Sequence, residues 1–265
     1  MKNSQYLKLF ISIVTLSASI VGILYLQKGN LKKAEIVRDK KTYFKEQEQF
    51  STTAKIHKNL PSFGFNNLLA DWTFLQFIQY FGDGEARQVT GYPVVTDYFE
   101  DIVNRDPNFV QSHLVMSSAN SLFAARPQKT VELMNQAIEK VDPKAPHYPF
   151  LLWTYKATDE ILFLGDLKAA QNSYETAAEW TTEWAKFHND DLGNKMAERY
   201  EKSAAFLATN PDPTQAQIGA WMSILSSAKD KITANYIISK LEDLGVRISM
   251  SADGEITVKP PKKDV

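Results

Sequence analysis

The sequence predicts an all-α domain of stacked helical hairpins, entered by an apolar N-terminal helix and left by a short β-hairpin. Three observations predict it. Apolar residues recur at spacings of three and four through most of 60–245, punctuated by Gly, Pro and Asn-Asp stops. The stretch 9–26 carries no charge. The stretch 246–260 alternates apolar and polar residues around Asp253 and Gly254.

Residues 9–26 read LFISIVTLSASIVGILYL and follow a short tail, 1–8, holding Lys2 and Lys8. At 1.5 Å per residue they extend about 27 Å, close to the hydrocarbon thickness of a bilayer. No A-x-A cleavage site follows, so a retained single-pass transmembrane anchor is expected rather than a cleaved signal peptide. Lys28, Lys32, Lys33, Arg38, Lys40 and Lys41 follow the span. The positive-inside rule keeps that side cytoplasmic, whereas simple bacterial signal anchors export it, and the side stays open. Residues 27–59 are rich in charge and read as a solvated helical stalk.

Pro61 and Gly64 end the stalk, and 60–245 is the expected helical domain. From Asn66, the positions Leu68, Leu69, Trp72, Leu75, Phe77, Ile78 and Phe81 cover more than one helix face, which predicts a largely buried helix. Asp71 lies among them and needs a hydrogen-bond partner if buried. Residues 82–93, GDGEARQVTGYP, read as a loop without a phosphate-binding pattern. Arg87 and Tyr92 are its candidate partner contacts. A helix follows over Val95–Arg105. Hairpins are then expected over Gln111–Ala124 with Gln128–Val141, over Leu152–Leu164 with Leu167–Trp180, and over Gln215–Ala228 with Lys231–Leu244. An extra helix running to Leu207, broken near 189–193, separates the last two. Asp-Gly between alternating runs predicts the hairpin over 246–260, and 261–265 is a polar tail.

Within the second hairpin, Gly165, Asp166, Ala170, Tyr174 and Ala177 resemble the tetratricopeptide repeat: a Gly-Asp turn, then Ala, an aromatic and Ala on one helix face. Thr158 and Thr182 depart from the pattern. So do Ala125, Arg126 and Pro127 at the first turn, and Thr130 where Ala is expected. Aligning Ala137 with Ala177 offsets the first two units by 40 residues, and aligning Ala170 with Ala234 offsets the next by 64. An ordinary helical hairpin with a glycine turn is the alternative. The whole chain also resembles a family of uncharacterised tetratricopeptide-like membrane proteins of cyanobacteria, through LPSFGFNNLLADWTFLQFIQYFGD, TDEILFLGD and AQIGAW. That resemblance implies a thylakoid or plasma-membrane setting and no known activity.

The composition removes several classes of function. A net charge of −1 supplies no field for nucleic acid. The absence of cysteine excludes disulfides and thiolate chemistry. His57, His113, His147 and His188 are each far apart in sequence and match no metal-binding spacing. No catalytic, metal or cofactor site is therefore expected. The resemblance implies instead a protein-binding groove lined by the first helices: Leu152, Tyr155, Asp159, Leu162 and Phe163 in one unit, and Ser112, Val115, Ala119, Leu122 and Phe123 in the other. The helix over 66–81 either leaves that groove open or fills it. The expected role is a membrane-tethered scaffold that assists assembly of a membrane complex, and the cyanobacterial resemblance implies a photosynthetic one. A stable accessory subunit and a membrane-bound enzyme with an unrecognised site are the alternatives.

Overall fold

The computed structural model describes residues 2–34, 38–228, 230–250 and 256–259. Backbone contacts divide it into two units, Met1–Tyr43 and Phe44–Val265. The first holds helix α1 (Lys2–Ala34) and the start of α2 (Lys40–Lys58). Asp39 caps α2: the backbone N–H and the hydroxyl of Thr42 donate to its Oδ1 at 2.8 and 2.7 Å. In α1 the hydroxyls of Thr15 and Ser19 donate to the carbonyls of Ile11 and Thr15, each at 2.9 Å.

The transmembrane expectation is corrected here. Among the described residues no helix is long and apolar enough to cross a membrane. The uninterrupted described side chains of the apolar part of α1 run from Ile11 to Tyr25. Within that run Ser12, Thr15, Ser17 and Ser19 dilute the apolar character. Leu9, Phe10 and Leu26, the ends of the expected span, lie outside the described side chains. The single-pass thylakoid or plasma-membrane localisation falls with the span.

The second unit begins inside α2 and continues through α3 (Asn66–Gly82), α4 (Gly84–Thr90), α5 (Val95–Arg105) and α6 (Val110–Met116). The helix α6 runs on into a π-helical segment, π1 (Ser117–Phe123), and returns as α7 (Pro127–Ile138). The same arrangement recurs in α8 (Leu151–Asp159), π2 (Glu160–Leu164) and α9 (Leu167–His188). Then come α10 (Asp191–Leu207), α11 (Thr214–Ser227) and α12 (Lys231–Asp243). Asn189, at φ 56°, reverses the chain between α9 and α10, and the two helices pack along each other. They approach so closely that a Cβ on Gly193 would stand 2.5 Å from Ala185 Cβ.

Two expected features change. The charged stalk ends early: from Phe44 onward α2 is part of the bundle. Phe50 meets the Tyr80 ring edge-on at 5.3 Å, Ala54 is buried, and Lys58 pairs with Glu100 and, at 3.3 Å, with Asp97. The loop expected at 82–93 winds into α4, because the Asp83 side chain accepts from the Ala86 backbone N–H at 3.2 Å and nucleates a turn.

Of the C-terminal hairpin only two short strands are described, without the turn that would join them. Strands β1 (Arg247–Met250) and β2 (Ile256–Lys259) pair antiparallel, with Arg247 opposite Lys259 and Met250 opposite Ile256. The expected turn at Ala252–Gly254 lies outside the described residues. Apart from these two strands the described architecture is helical, and none of its described helices is long and apolar enough to cross a membrane.

Two large apolar clusters hold the second unit, and a third of Ala157, Ala170 and Leu207 joins α8, α9 and α10. The larger joins α3, α5, α6, α7 and α8 through Phe77, Tyr80, Tyr98, Phe99, Met116 and Leu133. The smaller joins π2, α11 and α12 through Phe163, Trp221, Ile224, Ile237 and Leu241.

Candidate functional site

The residues expected to line a binding groove do not share one surface. Leu152 is fully buried, and Phe163 is covered edge-on by Trp221 of α11 at 5.2 Å. Phe123 is packed by Phe81 of α3 at 5.0 Å and by Tyr92 at 5.5 Å. The end of the 66–81 helix thus occupies that part of the groove. Ser112 and Ala119 are buried, and Leu162 is half-buried. Only Val115, Leu122 and Tyr155 remain exposed. The loop contacts move inward as well, because α4 turns them toward the core. Tyr92 is buried, and Arg87 is 0% exposed. Arg87 Nη1 donates to Gln47 Oε1 at 2.8 Å and to the Gly91 carbonyl at 3.1 Å, and its guanidinium stacks 3.7 Å above the Tyr80 ring. Neither residue is available to a partner.

Asp159 was expected at the groove and is instead 2% exposed. Its Oδ2 accepts from Ser121 Oγ at 2.9 Å and Ser117 Oγ at 3.2 Å, both in π1. Burial pushes its carboxyl up to about 7, opposed by those two hydrogen bonds and aided slightly by the charge of Glu160. The network continues from Ser121 to Thr130 at 2.8 Å, from Asn120 Nδ2 to Thr130 at 3.0 Å, and from Thr96 to Asn120 Oδ1 at 2.6 Å. Beside it Lys156 and Glu160 form a buried ion pair at 2.6 Å that Ser173 bridges. This seam stitches the first hairpin to the second. The sequence holds one signal of it: Ser117, Asn120 and Ser121 fall at spacings of three and four, on one face of the helix.

Among the described residues no group of three or more metal-ligating side chains sits together. His113 is fully buried, its Nε2 3.0 Å from the Pro107 carbonyl, and burial pushes it down to about 4. It is a neutral packing residue at ordinary pH.

The surface that stands out is α3. Its inward side carries Ala70, Thr73, Phe77 and Tyr80, all buried, and Thr73 Oγ1 donates to Asp101 Oδ2 at 2.7 Å. On the opposite side Leu68 (64% exposed), Trp72 (51%), Leu75 and Ile78 form an exposed row, extended by Phe63 and Phe65 before the helix. Spacings of four, three and three keep the row on one side of the helix. Asp71 is exposed beside it. It lies near enough to Asp106 to help burial raise that carboxyl. The sequence predicted this helix to be largely buried. The bundle covers only one side, because α5 and α2 reach the inward face and nothing else in the described unit packs on the outer one.

No family model matches the chain, and neither a curated protein nor a solved structure matches it.

Proposed function

We propose that this chain is a tetratricopeptide-like protein-binding module that assists the assembly or stability of a multiprotein complex. The observation that carries the reading is the apolar outer face of α3. A contiguous exposed row of Leu68, Trp72, Leu75 and Ile78 is uncommon on a surface that stays in water, and such patches mark protein contacts. The partner is a helix with apolar residues at spacings of three and four, and with a Lys or Arg opposite Asp71. The repeat reading draws its support from the 40-residue correspondence of the two hairpins, in which both first helices end as π-helices and close by the same turn.

The test is co-purification of the tagged protein under mild conditions with Trp72→Asp and Leu75→Asp variants. Both side chains are exposed, so the melting temperature should shift by no more than about 2 °C. The wild type should carry its partner and the variants should not. A photo-crosslinker at Ile78 should report the partner helix. Undiminished co-purification by both variants would sink the reading. Concentration-dependent self-association lost in the variants would make the partner a second copy.

A further inference from the structure

A second concave surface lies between α8, α9 and α10 and shares no residue with the α3 face. Two adjoining cavities form it, of about 400 and about 510 Å³, and Tyr174, Lys202 and Ser203 line both. Apart from Tyr155, none of the residues expected in the first-helix groove lines it. It is therefore a different feature from the groove that the sequence predicts.

The two ends differ in chemistry. The smaller cavity is walled by Tyr155, Thr154, Thr158, Tyr200 and Arg199. Arg199 is exposed and forms no ion pair among the described residues, while Lys202 beside it is paired with Glu198 at 2.6 Å. The larger cavity is walled by Ile161, Leu167, Leu207, Pro211 and Pro213 and by Asp212, whose Oδ1 accepts from the Thr214 hydroxyl and N–H at 2.6 and 3.0 Å, with Phe206 standing 61% exposed at its edge. One end thus offers an unpaired cation among hydroxyls, and the other an apolar bed. The cleft is open along its length, whereas a small amphiphile is held where most of its surface is enclosed. An extended peptide needs only one open side, and the hydroxyls along the wall suit its backbone groups.

Spacing sharpens the match. Arg199 and Phe206 are seven residues apart on α10, about 10.5 Å along the axis. An extended chain rises about 3.3 Å per residue and covers that distance in about three residues. The geometry points to a binding site for an extended peptide that carries a carboxylate and, three positions away, a large apolar side chain. The carboxylate sits at Arg199 and the apolar side chain in the bed beneath Phe206.

The probe is a fluorescein-labelled hexapeptide with phenylalanine and glutamate three positions apart in a glycine-serine frame, titrated against the full chain by fluorescence anisotropy. The proposal expects saturable binding that weakens about tenfold or more with Arg199→Glu and again with Phe206→Asp. A peptide with lysine in place of glutamate should bind Arg199→Glu better than it binds the wild type. A peptide with a free terminal carboxylate three positions from phenylalanine separates a terminal from an internal anion. No saturable binding up to millimolar protein overturns the proposal. So does binding that neither substitution changes. Loss with Phe206→Asp alone, together with displacement of the peptide by dodecanoate, overturns it in favour of an apolar ligand. The α3 variants should bind the probe like the wild type, so this proposal and the α3 reading fail separately.

Discussion

The first and second hairpins reach one geometry by two chemistries. At an offset of 40 residues, Asn120 matches Glu160, Ala125 matches Gly165, and Arg126 matches Asp166. In both, the backbone N–H six residues on closes the first helix: Arg126 donates to the Asn120 carbonyl at 2.8 Å, and Asp166 to the Glu160 carbonyl at 2.9 Å. In both, the residue before the donor is left-handed, Ala125 at φ 53° and Gly165 at φ 68°. Glycine adopts that conformation freely and alanine does not. The second hairpin adds an Asp166 cap to α9, accepting from the Ala169 N–H at 2.9 Å. The first has no such cap, and tertiary bonds hold its turn instead. Arg126 Nη1 donates to the Pro93 carbonyl and to Thr96 Oγ1, each at 3.0 Å, and Asn120 Nδ2 reaches the Arg126 carbonyl at 3.3 Å. Thr130, which stands where the repeat pattern places Ala, is the hydroxyl that Asn120 and Ser121 require. A turn that lacks its signature residues survives here because buried polar groups replace them.

The matched positions 160 and 120 break the comparison hardest. Glu160→Ala leaves the Lys156 ammonium buried without its carboxylate and should cost about 3–5 kcal/mol. Asn120→Ala takes the acceptor from the buried Thr96 hydroxyl, while Thr130 and the Arg126 carbonyl keep each other, and should cost about 1–3 kcal/mol. Urea denaturation of both variants checks the ranking. Equal, small losses would mean that the seam is wet and carries little.

The second test uses pH, which pulls the two hairpins in opposite directions. Asp159, in the second, has its folded pKa raised to about 7 from an ordinary value of 3.8. Its contribution is complete below pH 3.8 and is lost as pH rises through about 7, a change of about 4 kcal/mol. His113, in the first, is lowered to about 4 from 6.5. Its contribution is complete above pH 6.5 and is lost as pH falls through about 4, about 3 kcal/mol. Across pH 4–6.5 the two offset each other, so the wild type should show a nearly flat stability profile. Asp159→Asn should expose the acid-side loss, and His113→Gln should expose a gain on acidification. Chemical denaturation at half-unit pH steps reads both slopes, and profiles parallel to the wild type would remove these groups from the balance.

The turns themselves should show the smallest effects. Gly165→Ala imposes a left-handed alanine and brings a Cβ within 2.8 Å of Gln217 Nε2, so about 1–2 kcal/mol should be lost. Ala125→Gly relieves backbone strain and surrenders a buried methyl, about 0.8 kcal/mol. The net change should be under about 1 kcal/mol. Thermal melts of the two variants side by side decide whether the first turn is held by its backbone or by its neighbours.

Much of the helical order was legible because it is local. Apolar spacing, the Gly165-Asp166 signal and the proline stops near 107, 143 and 211 are properties of short stretches. The turn at 125–127 was recognisable only as a departure, since what repairs it comes from Pro93 and Thr96, some thirty residues earlier. Binding residues were the least legible. Carrying groove positions over from a resemblance assumes that the first helices face an open surface, yet Phe81 and Trp221 cover Phe123 and Phe163. Arg87 reads as a loop contact because 82–93 is a polar insertion with the Gly and Pro content of a loop, and a seven-residue helix turns it inward.

The sequence by itself determined the helices other than α4, their order and the two-hairpin correspondence, because backbone propensity and apolar period act within a turn or two. Tertiary structure alone decided which apolar faces stay in water. It buried one side of α3 and left Leu68, Trp72, Leu75 and Ile78 bare, and it set Arg199 beside Tyr155. Periodicity records that a face is apolar. What covers that face depends on elements distant in the chain, and only the packed fold brings them together.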